Sequence, residues 1–244
     1  MLRPISLMLL LLLCRFSVDA QIAAPKIDGI VSPAEYGSLR EGENTKISGG
    51  AQWFMTWDNT HLYIAITGSN PAHAAVIYMD FDTPAANQRA LKSQGTSVGY
   101  LFEISAVKQL PFNADFVAYF KNDRREYRKA SPRRNSLPAW GVPVKNFGAY
   151  AFAIGTTREI SIPWAAITGG VRPAAFNFFG YLVMTDGFVY GQVPAENARG
   201  RISTTAVAGH YYEVKSTASG EPIQPFASKV KAPQKRHPRR VPGK

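Results

Sequence analysis

The sequence reads Ala51-Gln52-Trp53-Phe54-Met55-Thr56-Trp57, then Asp58-Asn59-Thr60, then His61-Leu62-Tyr63-Ile64-Ala65-Ile66-Thr67. Both long stretches are rich in β-branched and aromatic residues, which favour extended strands. The Asp-Asn pair between them is typical of a tight turn. These residues therefore predict an antiparallel hairpin at the centre of the fold.

Further short runs of the same character follow along the chain, separated by Gly, Asn and Pro. They lie at 75–81, 97–104, 114–120, 149–155, 158–162, 176–184 and 211–214. Because long helical periodicity is missing and the strands are short and many, we expect an all-β, antiparallel, jelly-roll-like β-sandwich.

Two short helical turns are also predicted. In the first, Ser32 and Glu35 have the spacing of a capping box, and Pro33 stands at the first helical position. The second covers 163–167 and is followed by Gly169 and Gly170, which favour helix termination.

The N terminus has the pattern of a secretory signal peptide over residues 1–20. Arg3 precedes an apolar run from Leu7 to Leu13, and Val18-Asp19-Ala20 supplies small residues before a cut at Gln21. The run is shorter than the roughly 20 residues that span a bilayer, so no transmembrane segment is expected after processing. We therefore expect a secreted, periplasmic or cell-surface protein.

The cysteine and charge content limits the chemistry of the mature chain. Cys14 is the only cysteine and lies in the signal peptide, so no disulfide, thiolate metal site or cysteine nucleophile is expected. Lys and Arg total 28, and Asp and Glu total 17. Once the signal peptide and residues 222–244 are set aside, the body at 21–221 has 19 basic and 16 acidic residues. We expect this body to form one β-sandwich domain.

Residues 222–244 contain seven cations, no acid, five prolines and few large apolar residues. This composition predicts a disordered basic Pro/Lys/Arg tail. Two roles stay open for it. The tail contacts anionic envelope polymers, or it is a solvated end without a specific partner.

A second basic stretch, 121–135, lies inside the body. It has seven cations, Asp123 and Glu126 as its only acids, and Tyr127 among the charges. One interpretation is a patch for an acidic glycan or a phosphate backbone, and the other is an exposed hairpin and loop kept soluble by charge.

Several short motifs together resemble the family 9 carbohydrate-binding-module-like group of the DOMON-like β-sandwiches. They are Ile27-Asp28-Gly29, Trp57-Asp58 with Leu62-Tyr63-Ile64, Val76-Ile77-Tyr78-Met79-Asp80, and Glu159-Ile160-Ser161-Ile162-Pro163-Trp164. A secreted bacterial version of this domain is similar at Ser32-Pro33-Ala34-Glu35-Tyr36-Gly37, Asn177-Phe178-Phe179-Gly180-Tyr181 and Gly187-Phe188-Val189-Tyr190-Gly191-Gln192-Val193-Pro194. The resemblance runs from Lys26 to Val214 and implies a β-sandwich without implying an activity.

Polysaccharide binding needs exposed aromatic rings that stack on sugar faces, with polar side chains that bind the hydroxyls. Trp140 lies in a proline-framed stretch that predicts a loop, and we expect it to bind a polysaccharide together with Tyr127 and Arg128. Tyr190 and Gln192 are expected to add polar contacts at an edge. The alternative for Trp140 is a ring that folds back over the edge of the sandwich.

The resemblance also implies two candidate cofactors. Structural calcium is common in the family, and Asp80 and Asp82 on one strand face with Asn87 are its candidate ligands. The other interpretation is a pair of solvent-facing acids without a metal.

Some DOMON-like domains bind haem b through Met, His or Lys. The candidates here are Met55, Met79, Met184, His61 and His210. Because Cys-x-x-Cys-His is absent, covalent haem attachment is excluded. Strand methionines that face inward are more often core residues.

Catalysis is not expected. Glu103, Asp115, Glu126 and Glu159 lie on separate segments, and no nucleophile elbow, His-Glu-x-x-His or phosphate-binding glycine loop is present. The sequence therefore favours an exported, non-catalytic polysaccharide-binding module that binds a cell-surface glycan, with no specific nucleic-acid partner. The alternatives are a cell-surface structural or adhesion domain without a small ligand, and a haem b-binding domain.

Overall fold

The computed structural model describes residues 24–32, 35–37, 41–82, 95–103, 107, 109–134, 137–153, 156–197, 199–201, 207–216 and 224–232. The predicted signal peptide, Pro33 and Asn87 lie outside these residues, as does most of the predicted tail. In this part of the chain, no helix is long and apolar enough to span a bilayer.

In the described residues, strands account for nearly all of the regular secondary structure. They are β1 (Thr45–Ser48), β2 (Ala51–Trp57), β3 (His61–Thr67), β4 (Ala74–Asp80), β5 (Phe116–Lys121), β6 (Arg124–Arg134), β7 (Leu137–Trp140), β8 (Val144–Lys145), β9 (Ala149–Ala153), β10 (Thr157–Pro163), β11 (Ala175–Val183), β12 (Phe188–Val193), β13 (Gly200–Arg201), β14 (His210–Lys215) and β15 (Lys229–Lys231). A single turn of helix, α1 (Trp164–Ile167), follows β10 as predicted.

The strands of the described residues form two antiparallel sheets. The small sheet has the order β1-β2-β3-β10-β9, and the large sheet has the order β13-β12-β11-β4-β5-β6-β7. In the large sheet β14 also pairs with β11, β15 pairs with β14, and β8 pairs with β6. This arrangement confirms the prediction of an all-β, antiparallel, sandwich-like fold.

The predicted hairpin is formed by β2 and β3, which pair from Gln52 opposite Thr67 to Trp57 opposite Leu62. Asp58 closes the turn, since its Oδ1 accepts hydrogen bonds from the backbone N–H of Thr60 at 2.6 Å and of His61 at 2.7 Å. The Tyr63 hydroxyl donates to the other carboxylate oxygen at 2.8 Å. The turn role expected for Asp58 is confirmed.

Alternate residues of both sheets face each other and form the main core. Trp53 is fully buried, its ring packs edge-on to Phe178, and its Nε1–H donates to the Gly191 carbonyl at 2.9 Å. Trp164 is also fully buried, and its Nε1–H donates to the Asp58 carbonyl at 3.0 Å. Trp164 therefore has a structural role.

The outer face of the small sheet is covered by residues 24–32 and 35–37. Glu159 of β10 binds these residues, because one carboxylate oxygen accepts from the backbone N–H of Asp28 at 3.0 Å and of Gly29 at 2.8 Å. The other oxygen accepts from the Tyr36 hydroxyl at 3.0 Å. Burial raises the pKa of the Glu159 carboxyl, and these hydrogen bonds oppose that shift. The motif at 27–29 and the motif that begins at Glu159 are therefore in contact with each other in the structure.

The prediction of a strand at 97–104 is wrong for residues 97–103, the part of this range that the structure describes. Residues 97–103 form a loop with one isolated bridge residue, Phe102, and they pack on the outer face of the large sheet. The aromatic rings explain the difference, since Phe102 lies 4.6 Å from the Tyr119 ring and the Tyr100 backbone N–H donates to the Tyr78 hydroxyl at 2.9 Å. The apolar side chains cover a sheet face and do not extend its edge.

The boundary of the predicted tail also needs correction. Residues 224–232 belong to the sandwich, because β15 pairs with β14 and Phe226 is only 3% exposed. The Phe226 ring packs against Tyr212 at 5.2 Å and Phe178 at 6.3 Å. One large apolar side chain and a short strand ladder order this segment, despite its basic and proline-rich composition.

Candidate functional site

Trp140 ends strand β7 and does not lie in a loop, which corrects the sequence interpretation. It is opposite Ala130 of β6, and its Nε1–H donates to the Val98 carbonyl at 3.0 Å. Its ring centroid lies 5.9 Å from that of Tyr78. The side chain is half-buried, so one part of the indole is fixed on the outer face of the large sheet and another part meets solvent.

Arg128 lies beside Trp140 on the same face. Its guanidinium carbon is 4.2 Å from the centroid of the Tyr100 ring, and its Nη1 donates to the Gly141 carbonyl at 2.9 Å. Leu101, next to Tyr100 in sequence, is 59% exposed, and Val142, next to Gly141, is 83% exposed. The structure thus brings Trp140 and Arg128 together, as expected, and adds Tyr100.

Tyr127 is not part of this surface. Side chains alternate along β6, so Tyr127 faces the opposite side of the sheet from Arg128. Its ring stacks on Phe116 at 5.1 Å and meets Phe147 edge-on at 4.8 Å. The expectation that Tyr127 and Trp140 form one platform is therefore wrong.

Tyr190 and Gln192 lie on β12, four strands from β6 in the order of the large sheet. At about 4.8 Å per strand, they are roughly 19 Å from β6. The Tyr190 hydroxyl lies 2.6 Å from Nδ1 of His73, and Gln192 is buried. Their side chains do not join the surface around Trp140.

Arg158 is a buried residue that the sequence analysis did not single out. It is fully buried and donates to the backbone carbonyls of His73 at 2.9 Å, Phe120 at 3.3 Å and Asn70 at 2.6 Å. Burial lowers the pKa of its guanidinium. Because it faces the same side of β10 as Ile160 and Ile162, strand alternation could have identified it as an inward-facing charge.

Three carboxylates meet on the outer face of the large sheet. Asp80, Asp82 and Asp115 each offer an oxygen, and these oxygens all lie within 4.8 Å of one another. Asp80 accepts from the Asn177 amide at 2.9 Å and from the Asp82 backbone N–H at 3.0 Å. Asp115 accepts from the Phe81 backbone N–H at 2.9 Å.

Burial and the neighbouring charges of Asp80 and Asp82 raise the pKa of Asp115 to about 8. Burial also raises the pKa of Asp80. A divalent cation would remove this repulsion, and carboxylate oxygens are the ligands that Ca²⁺ prefers. The donor set therefore fits calcium, with Asp80, Asp82 and Asp115 as the residues that would hold it.

The sequence pointed to two of these three carboxylates. Asp115 was missed because it is distant in sequence, and it reaches Asp80 only through the pairing of β4 with β5, which places Met79 opposite Phe116. The third predicted ligand, Asn87, lies outside the described residues.

The residues considered for haem lie in different surroundings. Met55 and Met79 are fully buried within the apolar core between the sheets. His61 begins β3 with its ring 5.8 Å from that of Tyr63, and His210 begins β14. Met184 is half-buried just after β11.

Comparisons of the chain with protein-family models, with curated proteins and with solved structures gave no match. The fold and the geometry of these two sites are thus the basis for a functional proposal.

Proposed function

We propose that this protein is an exported, non-catalytic polysaccharide-binding domain, similar to the family 9 carbohydrate-binding modules. The observation that carries the proposal is the half-exposed Trp140, fixed beside Tyr100 and Arg128 on the outer face of the large sheet. We call these three residues the Trp140 surface.

The Trp140 surface has the elements that sugar binding requires. The indole is held by a hydrogen bond at its Nε1–H and by the Tyr78 ring, so little side-chain entropy is lost when a sugar stacks on it. Arg128 places a positive charge next to the ring, although its side chain is only 15% exposed and one of its donors is bonded to the Gly141 carbonyl. The exposed Leu101 and Val142 add apolar area to the same region.

The bonding of the acidic residues supports a non-catalytic role. Glu103 bonds to Lys121 at 2.9 Å, and Glu126 bonds to Arg124 at 2.9 Å. Glu159 lies on the other sheet and binds backbone N–H groups. Each of these three carboxylates stabilises a local contact. The acids that do meet, Asp80, Asp82 and Asp115, have a donor set that fits calcium.

The proposal is tested by Trp140→Ala in the full chain, measured on a glycan array at low and at high salt. We expect the variant to lose about 1–3 kcal/mol of affinity, the range typical of a binding-site tryptophan. Stacking persists at high salt, whereas attraction between the basic tail and an anionic polymer does not. Trp140→Phe, which keeps a ring, should retain part of the affinity.

Trp164→Ala is the stability control. Removal of this fully buried indole should cost about 3–5 kcal/mol of unfolding free energy. Removal of the half-buried Trp140 indole should cost clearly less unfolding free energy than removal of Trp164. Glycan binding that is unchanged in Trp140→Ala at both salt concentrations would favour a structural or adhesion domain whose tail makes the contacts.

A further inference from the structure

We infer that the polysaccharide is anionic and carries carboxylate groups, and that it extends from Trp140 along the outer face of β6 towards Arg124. This inference rests on the proposed function and adds the class of ligand. It is carried by the way in which positive charge is concentrated at one edge of the large sheet.

The excess positive charge of the body lies in one short segment. Residues 121–145 contain eight basic and two acidic residues. The remainder of 21–221 contains eleven basic and fourteen acidic residues, so it is net negative. The segment with the excess forms β6, β7 and β8, the same strands that present Trp140.

Strand pairing places four of these cations on one face. Lys121 is opposite Arg124, Lys145 is opposite Glu126, and Arg128 follows two residues further along β6. Directly opposed residues share a face of the sheet. We call Lys121, Arg124, Lys145 and Arg128 the cationic row. From Arg124 to Ala130, which is opposite Trp140, β6 extends about 20 Å at 3.3 Å per residue.

Two carboxylates lie among these cations and leave a positive excess. Glu103 pairs with Lys121 at 2.9 Å. Glu126 is shared by Arg124 at 2.9 Å and Arg128 at 3.6 Å. Four cations thus face two acids. The Arg124 side chain is still 58% exposed and Lys145 is exposed, whereas the Lys121 and Arg128 side chains are only 19% and 15% exposed.

Aromatic rings position the two arginines. The Arg124 guanidinium lies 4.9 Å from the centroid of the Tyr119 ring, and that of Arg128 lies 4.2 Å from the centroid of Tyr100. A stacked guanidinium is pre-ordered and loses less entropy when it binds a planar carboxylate through two hydrogen bonds.

The charge density favours a carboxylated polysaccharide over a nucleic acid. Duplex DNA carries one negative charge per roughly 1.7 Å, or about twelve along 20 Å, far more than an excess of two positive charges. A chain with sparse carboxylates that runs from Trp140 along β6 towards Arg124 matches this small positive excess.

The test uses polygalacturonate and its methyl-ester form, which has the same backbone without the charges. Binding of each polymer by the full natural chain is compared with its binding by the double variant Arg124→Gln/Lys145→Gln. This variant removes two exposed charges of the cationic row. The control, Lys215→Gln/Lys231→Gln, removes two exposed charges elsewhere in the large sheet. All three proteins keep the same charge in residues 233–244.

We expect the row variant to bind polygalacturonate about tenfold more weakly and the control to change less than about twofold. The methyl ester should bind weakly and equally to all three proteins. Equal losses in both variants, tight binding of the methyl ester, or tighter row-dependent binding of duplex DNA would overturn the inference. Trp140-dependent binding of a neutral glycan alone would overturn the inference and leave the proposed function standing, whereas no Trp140-dependent binding would end both.

Discussion

At the scale of single residues, Asp115 carries a cost in stability that a bound calcium ion would reduce. Its carboxylate is largely buried beside two other carboxylates, and its pKa of about 8 lies above the value of 3.8 that is ordinary for Asp. Between these two pH values the folded protein holds a proton that the unfolded chain has released. Folding stability therefore falls as pH rises through this window, and it is lowest above pH 8.

Replacing Asp115 by Asn should remove this penalty and retain an acceptor for the Phe81 N–H. Without calcium at pH 9, we expect Asp115→Asn to melt about 2–4 °C higher than the natural protein, which corresponds to about 1 kcal/mol. Added calcium should raise the melting temperature of the natural protein and leave that of the variant unchanged. Asp123→Asn, at an exposed turn position, is the matched control for a lost carboxylate. A variant that still responds to calcium would contradict this assignment of Asp115.

At the scale of elements, the N-terminal segment lies directly on the small sheet. Gly29 has φ +86°, and a Cβ there would lie 2.8 Å from the backbone carbonyl carbon of Phe152 in β9. Gly50 has nearly the same φ, +84°, and no atom within 4 Å of its Cβ position. A substitution at Gly50 therefore measures the cost of the backbone conformation alone, whereas a substitution at Gly29 also measures the cost of close packing.

We expect Gly50→Ala to cost about 1–2 kcal/mol, the strain of a left-handed conformation. Gly29→Ala carries the same strain and in addition pushes the segment away from β9, so its loss of unfolding free energy should be at least twice as large. Chemical denaturation of both variants measures the difference. Equal losses would show that the segment does not pack closely on β9.

The elements also show which features the sequence could predict. The β2–β3 hairpin is formed by two neighbouring β-rich runs and a turn in which Asp58 accepts hydrogen bonds from nearby backbone N–H groups. Its prediction therefore required no knowledge of distant contacts. The sequence did not distinguish strand β6 from a charged loop. The cations of β6 alternate between the two faces of the sheet, and that alternation becomes visible only once the strand pairing is known. Tyr100 was missed for a related reason, since an aromatic run that covers a sheet face reads locally like a strand.

At the scale of the whole molecule, the chain beyond β14 returns to the core. Phe226 packs against Tyr212 and Phe178 of the large sheet, and its backbone N–H donates to the Glu43 carbonyl at 2.9 Å. The segment at 224–232 therefore connects the C-terminal part of the chain with the turn before β1.

Phe226→Ala should cost about 3–5 kcal/mol of unfolding free energy, as for other buried phenylalanines. Phe188→Ala, which removes a ring that is 38% exposed, is the matched control and should cost less than half as much. Thermal unfolding measures both. If Phe226→Ala had the same melting temperature as Phe188→Ala, residues 224–232 would not be packed on the core, and the predicted disordered tail would begin where the sequence analysis placed it.

The central claim is that the Trp140 surface binds a carboxylated polysaccharide, and the four tryptophans allow one direct measurement. Each gives a separate indole N–H signal in a ¹H–¹⁵N spectrum. Trp53, Trp57 and Trp164 are buried in the core, whereas Trp140 is half-exposed on the outer face. On titration with oligogalacturonate we expect the Trp140 signal to shift and the other three to stay within the line width. A titration in which Trp140 does not move, or in which all four signals move together, would contradict the claim.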